Sequence, residues 1–280
     1  MIKLRQDINP KKATLDKLAE FQCEIDVLKT FSERSKKAEE MFKNRKNNKA
    51  FEDVKECLAK MCNSTQRCVY CEDSQANEVE HIYPKSLFPG KCFRWDNYVY
   101  ACGLCNKHKG NKFAIFRDDN GQFQEVNPPN SKIPATEPPT GEAVMINPRV
   151  ENPLEYFMLD LLGTFKFVVK PGLLEKAKKK ADYTLNTVLR LNDADNKREV
   201  LRKGRKNAFK HYKRILSEYV SKKQQGAPEI QLQKIIEGIQ GENHPTVWKE
   251  VQRYHQTGKL EKIDKEFDDF FKSAPEALNC

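Results

Sequence analysis

With 280 residues, 38% of them hydrophobic and 32% charged, the chain is long enough for two domains or one elaborated domain, and polar enough to carry much exposed helix. No run of about 18 apolar residues argues for a membrane span, and the opening Met1-Ile2-Lys3-Leu4-Arg5-Gln6-Asp7 lacks the apolar stretch of a secretory signal; a cytoplasmic protein is expected. The net charge of +10 is concentrated in residues 168–223, which hold 17 Lys and Arg against six Asp and Glu. Such a stripe is either a solvated helical face or the footprint of a polyanionic partner.

The elements expected along the chain make an α+β, mainly helical protein in four regions. Residues 1–66 read as helical: Leu15, Leu18, Phe21, Ile25 and Leu28 recur at spacings of three and four. The charged stretch 32–58 reads as one long exposed helix. Residues 67–117 change character, with cysteines, aromatics and turn residues dominating. Val79, Ile82 and Tyr83 before Pro84 predict a short strand or hairpin arm, Tyr98-Val99-Tyr100 its returning strand, and 106–116 a short helix or turn packed on both. Residues 118–150 form a Pro-rich connecting segment, because Pro128-Pro129, Pro134 and Pro138-Pro139 oppose regular structure; a pattern resumes at Met145-Ile146-Asn147-Pro148. Residues 151–280 form a helical, basic C-terminal region. It opens with an alternating strand at Phe165-Lys166-Phe167-Val168-Val169 that closes at Pro171-Gly172. Two helices come next, breaking at Gly226-Ala227-Pro228, then two shorter helices and an acidic-aromatic tail over 264–271.

The nine cysteines are better read as thiols and metal ligands than as disulfides. Cys68/Cys71 and Cys102/Cys105 form two Cys-x-x-Cys knuckles about 30 residues apart, the ligand set of a closed, four-thiolate structural zinc site. Cys23, Cys57, Cys62, Cys92 and Cys280 show no ligand spacing and read as ordinary thiols, with Cys62 near enough to the first knuckle to be a weak substitute ligand. Between and after the knuckles lies a second chemistry. Hydrolysing a phosphodiester needs a base for water and charge stabilisation at the phosphate. His81 is the best base, since neutral imidazole exists near pH 7. Glu80 and Asn106 offer oxygens suited to a hard cation such as Mg²⁺.

Cys68-Val69-Tyr70-Cys71, Glu80-His81-Ile82-Tyr83-Pro84-Lys85, Trp95-Asp96-Asn97 and Cys102-Gly103-Leu104-Cys105-Asn106-Lys107-His108-Lys109 together resemble the zinc-stapled branch of the HNH nuclease family. The resemblance covers about 50 residues. It implies a small ββα-metal core with a four-cysteine zinc site, embedded in helical N- and C-terminal regions. It also implies an endonuclease using Mg²⁺ or Mn²⁺ and leaving a 5′-phosphate and a 3′-hydroxyl. His81 would then be the general base, Glu80 and Asn106 the catalytic metal ligands, and Asn97 the residue that orients the His81 loop. Lys109 and Lys85 would meet phosphate. Glu80 stands where Asp is commoner in the family and Asn106 where His is. His108 competes with Asn106 for the third position, whereas His211, His244 and His255 read as structural. Across the wider chain, Met1-Ile2-Lys3-Leu4, Val79 through Ser86, Ile146-Asn147-Pro148 and the helix over 184–192 resemble the PtuB-type HNH proteins of Septu anti-phage systems and some retron operons. That implies a partner ABC-type ATPase resembling PtuA, retron components in some settings, and DNA as substrate rather than RNA. A retron-type RNase acting on structured RNA such as tRNA, and a non-catalytic zinc-stapled nucleic-acid-binding module, are the alternatives. The N-terminal helices and the acidic-aromatic tail are expected to include a protein-docking surface.

Overall fold

The computed structural model describes residues 1–62, 66–126, 136–193 and 196–279. Pro128, Pro129, Pro134 and Cys280 lie outside them. Three helices come first: α1 (Lys12–Asp26), α2 (Phe31–Arg45) and α3 (Lys49–Met61). The charged stretch expected to be one long exposed helix is therefore two. Asn48 breaks it by capping α3, its side chain accepting from the Phe51 amide at 3.2 Å. Nor is the stretch wholly exposed, because Ala38, Phe42, Phe51, Val54 and Leu58 turn one face of the pair into the interior. Thr30 and Glu33 form a reciprocal capping box at the start of α2.

β1 (Glu78–His81) and β2 (Tyr98–Ala101) pair antiparallel, with Glu80 opposite Val99 and His81 opposite Tyr98. α4 (Gly103–Lys109) comes directly after β2 and packs against β1, completing a ββα unit. α4 stops at Gly110, whose φ of +49° suits glycine. The helix or turn expected over 106–116 therefore ends early, and the chain enters a strand, β3 (Ala114–Arg117). Its apolar Ala114-Ile115-Phe116 run is buried.

The connecting segment also holds regular structure. β4 (Phe123–Glu125) and β5 (Gly141–Ala143) flank β3 in a three-stranded antiparallel sheet. Pro138 and Pro139 precede β5 rather than interrupt it, so they cost the ladder no hydrogen bond. Gly141 is needed there, since a Cβ would lie 2.4 Å from the Phe116 carbonyl oxygen.

The C-terminal region begins with a hairpin of β6 (Phe157–Leu159) and β7 (Phe167–Val169). α5 (Glu175–Asp182) runs into a π-helical turn at Tyr183–Val188, and beyond it lie α6 (Asn196–Gln224), α7 (Glu229–Gly241), α8 (Pro245–Gln256) and α9 (Lys265–Ser273). The acidic-aromatic tail is largely α9, and it is docked rather than presented. Phe267 and Phe271 are fully buried, while Asp264 and Glu266 pair with Lys213 of α6. The C-terminal region grips the first zinc knuckle as well: Glu72 accepts from the Thr246 amide at 3.0 Å, and His244 Nε2 lies 3.1 Å from Asp73 Oδ1. No helix among the described residues is long and apolar enough to cross a membrane.

Candidate active site

The cysteine knuckles close the open end of the β1–β2 pair. The Val69 amide donates to the Tyr100 carbonyl at 3.1 Å, which holds the first knuckle against β2. The second knuckle is the start of α4, where Cys102 is the N-cap and its sulfur accepts from the Cys105 amide at 3.5 Å. The four sulfurs are buried and lie within 4.8 Å of one another, Cys71 and Cys102 being 3.9 Å apart. Sulfurs arranged tetrahedrally about zinc at about 2.3 Å are about 3.8 Å apart, so the cluster fits the ion. Hydrogen bonds from Cys105, Cys68 and Cys71 hold the Cys102 sulfur far below the ordinary thiol range. Cys62 stands outside the cluster; burial pushes its thiol up to about 12, which keeps it protonated.

Neighbouring side chains of a strand face opposite ways, and here that alternation divides the chemistry. Glu78 and Glu80 face α4. Across from them Asn106 Nδ2 donates to Glu78 Oε2, and Lys109 Nζ lies 2.7 Å from Glu80 Oε1. Lys109 is completely buried and Glu80 only 7% exposed. Lys109, expected at a phosphate, is therefore turned inward as the counter-ion of Glu80. Burial raises the Glu80 carboxyl above its ordinary range, and the Lys109 ammonium opposes that shift.

His81 faces the other way, into the N-terminal helices. Its ring meets Phe42 of α2 edge-on at 4.4 Å between centroids and Tyr98 at 5.2 Å. Nε2 is 2.9 Å from the Cys92 carbonyl oxygen, which also accepts from the Tyr98 hydroxyl at 2.7 Å. A carbonyl can only accept, so the proton sits on Nε2 and the lone pair on Nδ1. Burial first, then the positive charge of Lys85, pushes the His81 pKa down to about 3. The imidazole is neutral across the physiological range.

Asn97 stands behind this arrangement. Its Nδ2 donates to the carbonyls of Tyr83 at 3.0 Å and Lys91 at 2.8 Å, while Oδ1 accepts from the Tyr83 amide at 2.7 Å. These bonds tie the chain leaving β1 to the segment that carries the Cys92 carbonyl, and so set where the His81 ring is held.

Glu80, His81, Asn106 and Lys85 all line one cleft of 370 Å³. Glu78 lines it too and was not anticipated, although its place two residues before Glu80 on a strand was the available signal. Glu78, Glu80 and Asn106 are oxygen donors without a soft ligand among them, a set that fits a hard divalent cation. The far wall is Glu39, Phe42, Lys43, Lys46, Asn47 and Lys55 from α2, α3 and the turn joining them. Lys85 crosses the rim with Nζ 5.6 Å from the Phe42 ring centre. His108 does not line the cleft. His211, His244 and His255 each sit beside a carboxylate elsewhere, on Glu242, Asp73 and Asp268. The basic residues of 168–223 are also absent from the lining, and several are neutralised locally: Lys176 and Lys180 by Glu142, Lys213 by Asp264, and Lys223 by Glu276.

Comparison with known proteins agrees with this geometry. Residues 68–112, which hold the ββα unit and its cysteine cluster, match the family model of the HNH endonucleases. Over 87 residues the chain is 33% identical to the Septu protein PtuB of Bacillus thuringiensis. That match covers 29% of this chain and about a third (33%) of that relative's length.

Proposed function

We propose that this chain is a metal-dependent endonuclease that hydrolyses phosphodiester bonds of DNA, as the effector nuclease of an anti-phage defence complex with an ABC-type ATPase. The observation that carries the reading is the His81 imidazole, held neutral by burial with Nε2 bonded to the Cys92 carbonyl, in the lining of the cleft that also contains Glu80 and Asn106. The defence setting and the ATPase rest on the likeness to the Septu protein.

Each part of the site has a distinct task. His81 Nδ1 accepts the proton of the attacking water, and the Nε2 bond to the Cys92 carbonyl favours the imidazolium that results. The water oxygen bonds to phosphorus as the bond to the 3′-oxygen breaks, leaving a 5′-phosphate and a 3′-hydroxyl. Glu80 and Asn106 would hold Mg²⁺ or Mn²⁺, which would supply charge stabilisation to the phosphate and leaving oxygen. Lys109 opposes the effect of burial on the Glu80 carboxylate, Asn97 positions the base, and Lys85 at the rim faces the phosphate backbone. The zinc cluster has no part in the chemistry; it anchors the end of α4 from which Asn106 projects.

The test is His81→Ala in the full chain, assayed on duplex DNA with Mg²⁺ or Mn²⁺ and its partner ATPase. A general base contributes about 10² to 10⁴ in rate, so cleavage should fall by at least about a hundredfold while zinc content and helical signal are retained. Undiminished cleavage by a correctly folded variant would refute the reading.

A further inference from the structure

The cleft joins two surfaces of opposite character. Its floor carries the carboxylates Glu78 and Glu80 with His81 and Asn106, and its far wall carries Lys43, Lys46 and Lys55. Lys43 sits in the last turn of α2, Lys46 caps that helix, and Lys55 lies on α3. Lys43 and Lys46 are exposed and Lys55 is half-buried. Among the described residues no carboxylate lies within 4.0 Å of any of the three, although Glu39 lines the same cleft and neighbouring Arg45 is engaged by Glu24. Three lysines outnumber the one carboxylate of that wall, Glu39, and such an excess of positive charge along a concave wall focuses the field into the cleft and attracts a polyanion.

The wall also lacks what base reading would need. Its one aromatic ring, Phe42, is only 7% exposed and packs on His81, so no platform for stacked bases is offered. Ammonium groups without aromatic or planar partners contact phosphate rather than sequence. The segment with the largest basic excess, 168–223, contributes nothing to this cleft.

We propose that Lys43, Lys46 and Lys55 form a phosphate track that leads the DNA backbone onto the His81 site. The N-terminal helices are then part of the substrate-binding surface rather than only a docking arm for another protein. This rests on the nuclease reading of the cleft, and the experiment separates the two.

Binding of a fluorescently labelled duplex is measured as a function of salt, using the full zinc-loaded chain with His81→Ala so that nothing is cut. The triple variant Lys43→Gln, Lys46→Gln, Lys55→Gln is compared with a control, Lys178→Gln, Lys206→Gln, Lys210→Gln, which removes the same charge from the basic segment. Each phosphate contact contributes about 0.9 to the slope of log affinity against log salt on duplex DNA. Loss of the track should therefore flatten the slope by about 2 to 3 and weaken binding more than about tenfold at about 0.1 M salt. The control should change the slope by less than about 1. An unchanged slope in the track variant, or an equal change in the control, overturns the proposal. Track-dependent binding by a chain that never cleaves would support the track and refute the nuclease reading. Cleavage with a slope indifferent to the three lysines would do the reverse.

Discussion

The inward turn of Lys109 makes a quantitative prediction for Lys109→Met. The wild-type pair is separated by 2.7 Å, with the lysine side chain fully buried and that of Glu80 9% exposed. Methionine keeps most of the volume and removes the charge, leaving a buried carboxylate without its ammonium. Breaking a pair of this kind costs about 3–5 kcal/mol. Glu80 has an escape, which is to take up a proton. Measured from the ordinary carboxyl value of 4.5, that costs about 1.4 kcal/mol per pH unit, or about 3 kcal/mol at pH 7 and about 1 at pH 5.5. Because the wild-type carboxyl is itself raised, the loss at neutral pH is at most about 3 kcal/mol. The pH dependence is set by the direction of the shift. A carboxyl whose pKa is raised by folding gives stability that is fully present below 4.5 and lost as pH rises through the folded value. Removing Lys109 raises that value further, so the gap between variant and wild type should widen as pH rises. Urea denaturation from pH 5 to pH 8 reads this directly, and Glu80→Gln combined with Lys109→Met should recover most of the loss. A loss under about 1 kcal/mol at pH 7, or one that does not vary with pH, would show that Lys109 is not the counter-ion of Glu80.

Three further outcomes are expected. Nitrogen-15 spectra of the His81 ring should show a neutral Nε2–H tautomer throughout pH 5–8, because burial and Lys85 hold its pKa near 3; a titration midpoint near 6.5 would contradict the buried geometry. Since folding depresses this pKa, its contribution is complete above 6.5 and is lost as pH falls, by about 2 kcal/mol at pH 5, and His81→Phe should abolish that part of the acid sensitivity. The purified chain should carry one zinc per molecule; Cys102→Ser should lower that content and the thermal midpoint together, and equal zinc with an unchanged midpoint would exclude the four-thiolate site.

The four-cysteine cluster and the β1–β2 pair were legible because each is local: knuckles declare themselves by spacing, and Val79 to Tyr83 and Tyr98 to Tyr100 by residue type. The inward role of Lys109 was legible too, but only from helix geometry. Cys102, Cys105, Asn106 and Lys109 stand at i, i+3, i+4 and i+7, so the lysine shares a face with two buried ligands and turns toward β1 with them. The family resemblance alone places it at a phosphate. The strands in 118–150 were hidden for another reason: three-residue strands bounded by prolines carry too little periodicity to outweigh the breakers. The acidic-aromatic tail looked like a docking surface because nothing local shows that α6 provides its partners, Lys213 for the carboxylates and Phe209 for Phe267.

The part no local pattern could reveal is the surroundings of the base. A ββα unit of about 50 residues is too small to bury much of its own surface, and the side of β1 that carries His81 is not covered by α4. Phe42 of α2 covers it, meeting His81 directly, while Phe51 of α3 packs on Tyr98 behind the ring. That cover seals one face of the ring, and its burial pushes the imidazole pKa down. The helix that brings Phe42 to His81 also ends in Lys43 and Lys46 at the cleft wall. Sealing one face of the base and lining the approach to it are thus consequences of a single docking event between α2 and β1. A displacement of α2 would alter the charge state of the base and the path of the substrate together.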